Sequence, residues 1–432
     1  MKMANMDDYF DVVIVGTGAA GLYCALNLPA RYRILLLTKQ KADESDSFLA
    51  QGGICMQHGE ADYRPFFDDT MRAGHYENNP ATVDLMIRSS NSIIRDLVRR
   101  GVRFARDDHG ALRFTREGAH SRPRILFHED ITGHEITQTL LNEVLRCENI
   151  ELRENTTLLD FFADASACGG VIAAGPDGEP RAIGAGAVVL ACGGIGGLYK
   201  NSTNFPHITG DAIAMALRHG VACEHLDYIQ IHPTTLYSHR KGRRFLISES
   251  VRGEGALLLD KNGNRFTNEL QPRDVVSAAI RAQMEKDGTD HVWEDMRPIG
   301  EAAIREHFPN ILERCEEEGY DPIHEPIPVV PAQHYFMGGI TADLSSRTAL
   351  PRLYACGETC CNGVHGRNRL ASNSLLESLV FAQRAADDIL YGEPPVFTGD
   401  KPDLAPYREQ EPLFAAYRQE VLTAIERSKN HE

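Results

Sequence analysis

Nowhere in its 432 residues does the chain hold an apolar run approaching the roughly 18 needed to span a bilayer. The opening segment, Met1 to Phe10, likewise has no apolar stretch of signal-peptide length. The expectation is a cytoplasmic protein without a membrane span. Positive charge is in deficit, with 45 Lys and Arg against 61 Asp and Glu and a formal net charge of −16. That balance argues against nucleic acid, which needs a basic surface, but a locally basic site for an anionic substrate remains open. The 10 cysteines form no C-x-x-C pair and no regular framework. Cys356, Cys360 and Cys361 are the only cluster, and they read as small buried apolar residues rather than metal ligands. His128-Glu129 and His134-Glu135 are six apart, not at the helical spacing of a zinc motif. They read as polar neighbours at a helix start, and no metal is expected. Apolar residues at 42% and charged residues at 25% are ordinary for a globular chain, and the length suits two or three domains.

What is present is led by Asp11-Val12-Val13-Ile14-Val15 followed by Gly16-Thr17-Gly18-Ala19-Ala20-Gly21. A helix-like Leu22 to Leu28 and a second apolar run, Arg33 to Thr38, come next. Strand, glycine turn, helix and strand give the setting that the dinucleotide fingerprint G-x-G-x-x-G requires. Gly16 permits the turn, Gly18 lets the backbone reach a pyrophosphate, and Gly21 allows close helix–strand contact. The helix N-terminus offers free N–H groups to the phosphates. The acidic residue that NAD sites place about 20 residues on is missing, since the second strand ends in Thr38-Lys39-Gln40. Lys39 suits either the 2′-phosphate of NADP or the adenosine of FAD.

Further along, Ser45 to Ile54 is polar and glycine-rich. Helical periodicity is expected over Thr82–Arg100 and Gly133–Arg146. Strands are expected over Thr156–Phe162, Gly170–Ala174 and Ala187–Leu190, the last running into Gly193-Gly194. Asp211 is expected to cap a helix ending near His219 or to meet a ribose. From about Glu224 to Pro331 charge and proline rise and the strand–glycine rhythm stops. It resumes at Arg352 to Glu358, followed by a helix over Ser374–Leu390 and a polar tail, helical between Leu413 and Arg427. An inserted cap interrupting a nucleotide-binding domain is the expected organisation.

Several separated segments carry a more specific signal. Besides Gly16–Gly21 they are Leu49-Ala50-Gln51-Gly52-Gly53, Arg116-Glu117-Gly118-Ala119-His120-Ser121, Ile231-His232-Pro233-Thr234, Glu249–Ala256, Gln333–Ile340 and Gly366–Glu377. In this order the chain resembles the succinate dehydrogenase/fumarate reductase flavoprotein family, and within it the branch that oxidises L-aspartate. The resemblance implies an α/β fold: a Rossmann-like FAD-binding domain (1–225 and 341–393) interrupted by an α+β capping domain (226–340), with a short helical C-terminal tail (394–432). It also implies FAD, contacted by Gly16, Thr17, Gly18, Ala19, Ala20, Gly21, Lys39, Asp46, Ser47, Phe48, Leu49, Ala50, Gln51, Gly52, Gly53, Asp211, Glu358, Ser374 and Leu375. In the membrane-complex members a histidine five residues before the glutamine of A-Q-G-G carries the flavin covalently. Here Asp46 stands there, so the flavin is expected to be non-covalent. A further C-terminal helical domain usual in the branch has only some 40 residues left to it here, as in a shortened member.

By the same resemblance the substrate is a four-carbon dicarboxylate held by His232, His334 and Arg369, with Ser248 and Glu249 beside it. Arginine suits a planar carboxylate. Glu117 is assigned to the α-amino group, and Arg273, in Gln271-Pro272-Arg273-Asp274, to a proton shuttle or to electrostatic stabilisation. The implied reaction is oxidation of L-aspartate to iminoaspartate with hydride passing to flavin N5, and reoxidation by O2 or fumarate. It is the first step of NAD and quinolinate biosynthesis, with quinolinate synthase as an implied partner. Alternatives are a soluble fumarate reductase or succinate dehydrogenase-like enzyme, an electron-transfer subunit, and an NADP-dependent dehydrogenase.

Overall fold

The structure, a computed structural model, describes residues 8–239, 242–392 and 397–429. The tail boundary expected at 393–394, and most of Met1–Phe10, lie outside them. Among the described residues no helix is long and apolar enough to cross a membrane.

The strand Tyr9–Val15 lies inside a seven-stranded mixed sheet, paired parallel with Ile34–Leu37 on one side and Pro180–Leu190 on the other. Successive strand residues face opposite sides, and both sides here are apolar. Val12, Ile14, Ile34 and Leu36 join a core with helices Ala19–Asn27, Pro80–Arg100, Thr132–Val144 and Asn373–Tyr391. Val13, Val15, Leu35 and Leu37 join a second core with helix Asp211–Arg218. Helices on both faces explain why these strands read as unbroken apolar runs rather than alternating ones.

On the side away from Tyr9–Val15 the strand Pro180–Leu190 serves two further neighbours. Its first half pairs antiparallel with Cys168–Ala174, and its last three residues pair parallel with Leu353–Ala355. Leu353–Ala355 is where the chain returns from the cap. The C-terminal helix Gln410–Lys429 buries Tyr417, Val421 and Ile425 in the second core.

The cap is built on a four-stranded antiparallel sheet ordered Ile229–Leu236, Ile327–Phe336, Val292–Asp295, Leu257–Leu259. Val251, Val276, Ile280, Val292, Ile311 and Val329 form its own core. Its two longest strands start and end just inside the bounds drawn at 226 and 340. Ile229 and Phe336 sit with the nucleotide-domain core, whereas Leu236, Ile327 and Val329 belong to the cap core. Side chains midway along these strands, His232 and His334 among them, therefore lie at the junction of the two bodies.

Candidate active site

The glycine turn is forced by space. Gly16 has φ +114°, and a Cβ there would lie 2.0 Å from the Ala191 carbonyl oxygen. A Cβ on Gly21 would lie 1.9 Å from the Gly16 carbonyl oxygen. Gly18 is the N-cap of helix Ala19–Asn27 and has no side chain to satisfy the first turn, leaving that N-terminus facing a cleft of about 1700 Å³ counted out to its mouth. Thr17, Ala20, Lys39, Asp46, Ser47, Leu49 to Gly53, Asp211, Glu358, Ser374 and Leu375 share the wall with Gly16 and Gly18. A narrow trough of backbone that side chains would fill, ending at a helix N-terminus, fits a dinucleotide diphosphate.

Three expected contacts are not on the wall. Ala19 is buried in the core behind the turn, and Gly21 abuts Gly16. Phe48 turns inward against His134, ring centroids 5.7 Å apart, because its neighbours Ser47 and Leu49 take the cleft side. Asp211 is not a cap either. The N-cap is Gly210 at φ +73°, and the Asp211 carboxylate accepts from Lys39 Nζ at 2.7 Å and Thr209 Oγ1 at 2.7 Å. Lys39 is thus already paired.

Asp46 accepts from Asn204 Nδ2 at 2.7 Å and from the Phe205 N–H at 2.9 Å. Burial pushes its carboxyl up to about 7. Glu358 accepts from the Phe336 N–H at 2.9 Å, and burial, then the nearby Asp46, push it up to about 8. Two half-buried carboxyls that hold protons near neutrality can donate to carbonyl or ring-nitrogen acceptors as well as receive from hydroxyls.

At the far end of the cleft Glu117, His232, His334, Ser248, Glu249, Arg273 and Arg369 come together. His232 and His334 lie on the paired long cap strands, with ring centroids 5.1 Å apart. Burial, then the charge of Arg273, holds both imidazoles well below their ordinary value, so both are neutral. His232 Nδ1 lies 2.9 Å from the Thr234 carbonyl oxygen and 3.2 Å from the Thr234 N–H, and its buried Nε2 has no partner among the described residues. The tautomer with its hydrogen on Nδ1 donates to that carbonyl and leaves Nε2 an acceptor; the one with its hydrogen on Nε2 accepts the N–H and can donate to a carboxylate. Thr203 Oγ1 lies 2.7 Å from His334 Nδ1 and can fix the latter tautomer there.

Arg369 donates from Nη1 to Ser374 Oγ at 2.9 Å, stacks over Tyr335 with 4.4 Å to the ring centroid, and has a buried Nε without a partner among the described residues. Burial, then Arg273, brings it down to about 10, so it stays cationic at neutral pH. Arg273 donates from Nε to Glu249 at 2.5 Å and from Nη1 to Gln230 at 2.8 Å. Burial works to raise Glu249, but Arg273 and Arg252 outweigh it and hold the carboxyl below the ordinary range. Ser248 lines the cleft but is also a cap: its hydroxyl accepts the Ser250 N–H at 3.2 Å at the start of helix Glu249–Gly253. Three buried arginines and two neutral imidazoles, with donor atoms left unpartnered, face two carboxylates. The cluster is built for an added anion.

Glu117 is the second of the two carboxylates. It lies over Gly52, where a Cβ would come within 2.5 Å of its Oε1. Its oxygens accept from Ser250 Oγ at 2.8 Å and Ser372 Oγ at 2.6 Å. Burial and then the Glu249 charge raise its carboxyl, and the two hydroxyls oppose that rise. Ser250, Ser372, Gln230, Thr203 and Asn204 were missed by sequence reasoning. The first two stand inside the motif segments, but a serine hydroxyl carries no spacing signature of its own.

Residues 11–375 match the family model described as an FAD binding domain. The L-aspartate oxidase of Clostridium perfringens is 48% identical over 380 residues, covering 88% of this chain and 86% of the relative. That of Nostoc sp. is 44% identical over 98% of this chain and 76% of the relative. The chain belongs to the L-aspartate oxidase family. It is accordingly an FAD-dependent oxidoreductase, which settles the dinucleotide that Lys39 left open. Among solved structures, E. coli quinol fumarate reductase superposes with a TM-score of 0.83 at 31% identity, covering 95% of this chain and 74% of that one. The two proteins thus share the flavoprotein fold described above.

Proposed function

We propose that the chain oxidises L-aspartate to iminoaspartate, is reoxidised by O2 or fumarate, and serves the first step of NAD and quinolinate biosynthesis in the cytoplasm. A quinolinate synthase is the recipient this reading implies. One observation carries the choice of substrate: beside Glu249, which pairs with Arg273, a second buried carboxylate, Glu117, stands in the dicarboxylate site and is held by two serine hydroxyls. Arg369 clamps one carboxylate, and His232 and His334 donate to the other. Glu117 takes the ammonium, using lone pairs its serine partners leave free. Three-point binding fixes Cα in one orientation against the cofactor side of the cleft. Bound FAD supplies the two-electron acceptor. Arg273 faces the substrate, and the chain Arg273–Glu249–Arg252, with separations of 2.5 and 3.8 Å, leads from the site into the cap. It supports Arg273 as the residue that moves the proton.

A soluble fumarate reductase or succinate dehydrogenase-like enzyme is the second reading, favoured by the fumarate reductase likeness. It needs every ligand except Glu117. Anaerobic titration of the FAD-loaded chain separates the two. Bleaching of the flavin absorbance by L-aspartate and not by succinate is expected. Bleaching by succinate alone would move the assignment to the second reading.

A further inference from the structure

Ser372 has φ +60°, left-handed backbone that glycine adopts freely and a side chain resists. It stands at the N-cap of helix Asn373–Tyr391, yet its hydroxyl makes no capping bond to that helix. Instead Oγ accepts the Gly53 N–H at 3.2 Å and donates to Glu117 Oε2 at 2.6 Å. One hydroxyl therefore joins the cofactor-side loop, the carboxylate assigned to the substrate amine, and the turn that carries Arg369 three residues earlier. A strained residue whose side chain does none of the local work is kept for what it reaches.

We propose that Ser372 is a positioning residue that fixes Glu117 relative to Arg369 and so sets the preference for a 2-amino dicarboxylate over an unsubstituted one; this rests on the reading of Glu117 as the ammonium partner. The turn does not depend on the hydroxyl. His120 Nε2 donates to the Ala371 carbonyl at 3.0 Å, and the Cys55 N–H donates to the Ser372 carbonyl at 3.0 Å. His120 is in turn held at Nδ1 by Arg124 at 2.8 Å, a guanidinium anchored on Asp62 and Asp69. Arg369 keeps its own supports on Ser374 and Gln230. Removing the Ser372 hydroxyl thus frees Glu117, with only Ser250 among the described residues left to hold it, and leaves the carboxylate clamp in place. It also weakens the opposition to burial and Glu249, so Glu117 gives up its charge more readily.

The test compares Ser372→Gly and Ser372→Ala with Glu117→Gln, all as FAD-loaded chains. Ser372→Gly relieves the backbone strain, so its thermal midpoint should match or exceed that of the parent. In both serine variants KM for L-aspartate should rise about tenfold or more, the scale of a lost hydrogen bond to a charged group. The inhibition constant of succinate should stay within about twofold, and the acidic limb of kcat/KM for aspartate should move to higher pH. Equal weakening of aspartate and succinate, or no change in either, would overturn the positioning role. If Glu117→Gln itself leaves the aspartate-to-succinate preference intact, the underlying reading falls; if it abolishes the preference while the serine variants do not, only the role of Ser372 falls.

Discussion

Gln230 and Arg369 are joined by a hydrogen bond from the Gln230 amide to the Arg369 carbonyl at 2.8 Å, while the Gln230 carbonyl takes Arg273 Nη1 at 2.8 Å. One buried amide thereby sets the spacing of the two arginines that face the substrate. Gln230→Leu keeps the volume but strands a guanidinium N–H and a carbonyl, each costing about 1–3 kcal/mol when buried unpaired. The inhibition constant of succinate should rise about tenfold or more, with the flavin content of the protein unchanged. A wild-type value would show that the arginines hold their places without the bridge.

Arg369 also stacks on Tyr335 and donates to Ser374, so its plane is fixed before any substrate arrives. Lysine offers a point charge without that fork or that stacking surface. Arg369→Lys and Arg369→Leu should therefore both weaken aspartate, fumarate and succinate together, the leucine variant by about 2–4 kcal/mol for a lost charge-assisted contact. Inhibition by succinate measures this directly, and unchanged inhibition in Arg369→Leu would remove Arg369 from the clamp.

Gly21→Ala places a methyl within 1.9 Å of the backbone at Gly16, where no side chain can yield. The helix Ala19–Asn27 must shift off the strand, and its N-terminus with it. The purified variant should carry a flavin-to-protein absorbance ratio well below the parent's, and added FAD should restore it only in part. Full loading would mean that the turn tolerates the displacement.

That same crowding made the glycine turn legible in the sequence: where backbone meets backbone, only one residue type fits, so the motif states its own geometry. The central strands were legible because helices cover both faces and Val12–Val15, Ile34–Leu37 and Ala187–Leu190 are apolar throughout. The cap strands were not. Ile229–Leu236 carries Pro233 at a break in register between His232 and Thr235, and Ile327–Phe336 carries Pro328 and Pro331. Proline is tolerated at such irregularities, but from sequence it reads as loop. At the site, the charged residues came through because their motifs name them. Gln230, Ser250 and Ser372 act by holding others, and a neutral amide or hydroxyl announces that only once its partner is in place. Phe48 shows the converse: its motif assigned it to the cofactor, whereas the turn at Ser45–Leu49 carries its ring to the core.

Glu294 offers a test of the cap itself. It is fully buried on strand Val292–Asp295, opposite Leu258 and Ile327, and neither carboxylate oxygen has a partner among the described residues. Burial pushes it up to about 8; nearby Arg252 lowers it and Glu269 raises it. An acid whose folded value lies above its unfolded one binds more protons folded than unfolded, so its contribution is fully present at acid pH and is lost as pH rises. The window runs from the ordinary carboxylate range near 4.5 to about 8. Glu294→Met fills the same space without the ionisable group. Its thermal midpoint should stay close to the parent's at pH 5 and exceed it at pH 8.5. The gain in stability there should reach a few kcal/mol, at about 1.4 kcal/mol per pH step across that window. Equal midpoints at both pH values would mean that Glu294 ionises in the folded cap as readily as in the unfolded chain, and that Arg252, whose Nε and Nη1 also lack partners, reaches it after all.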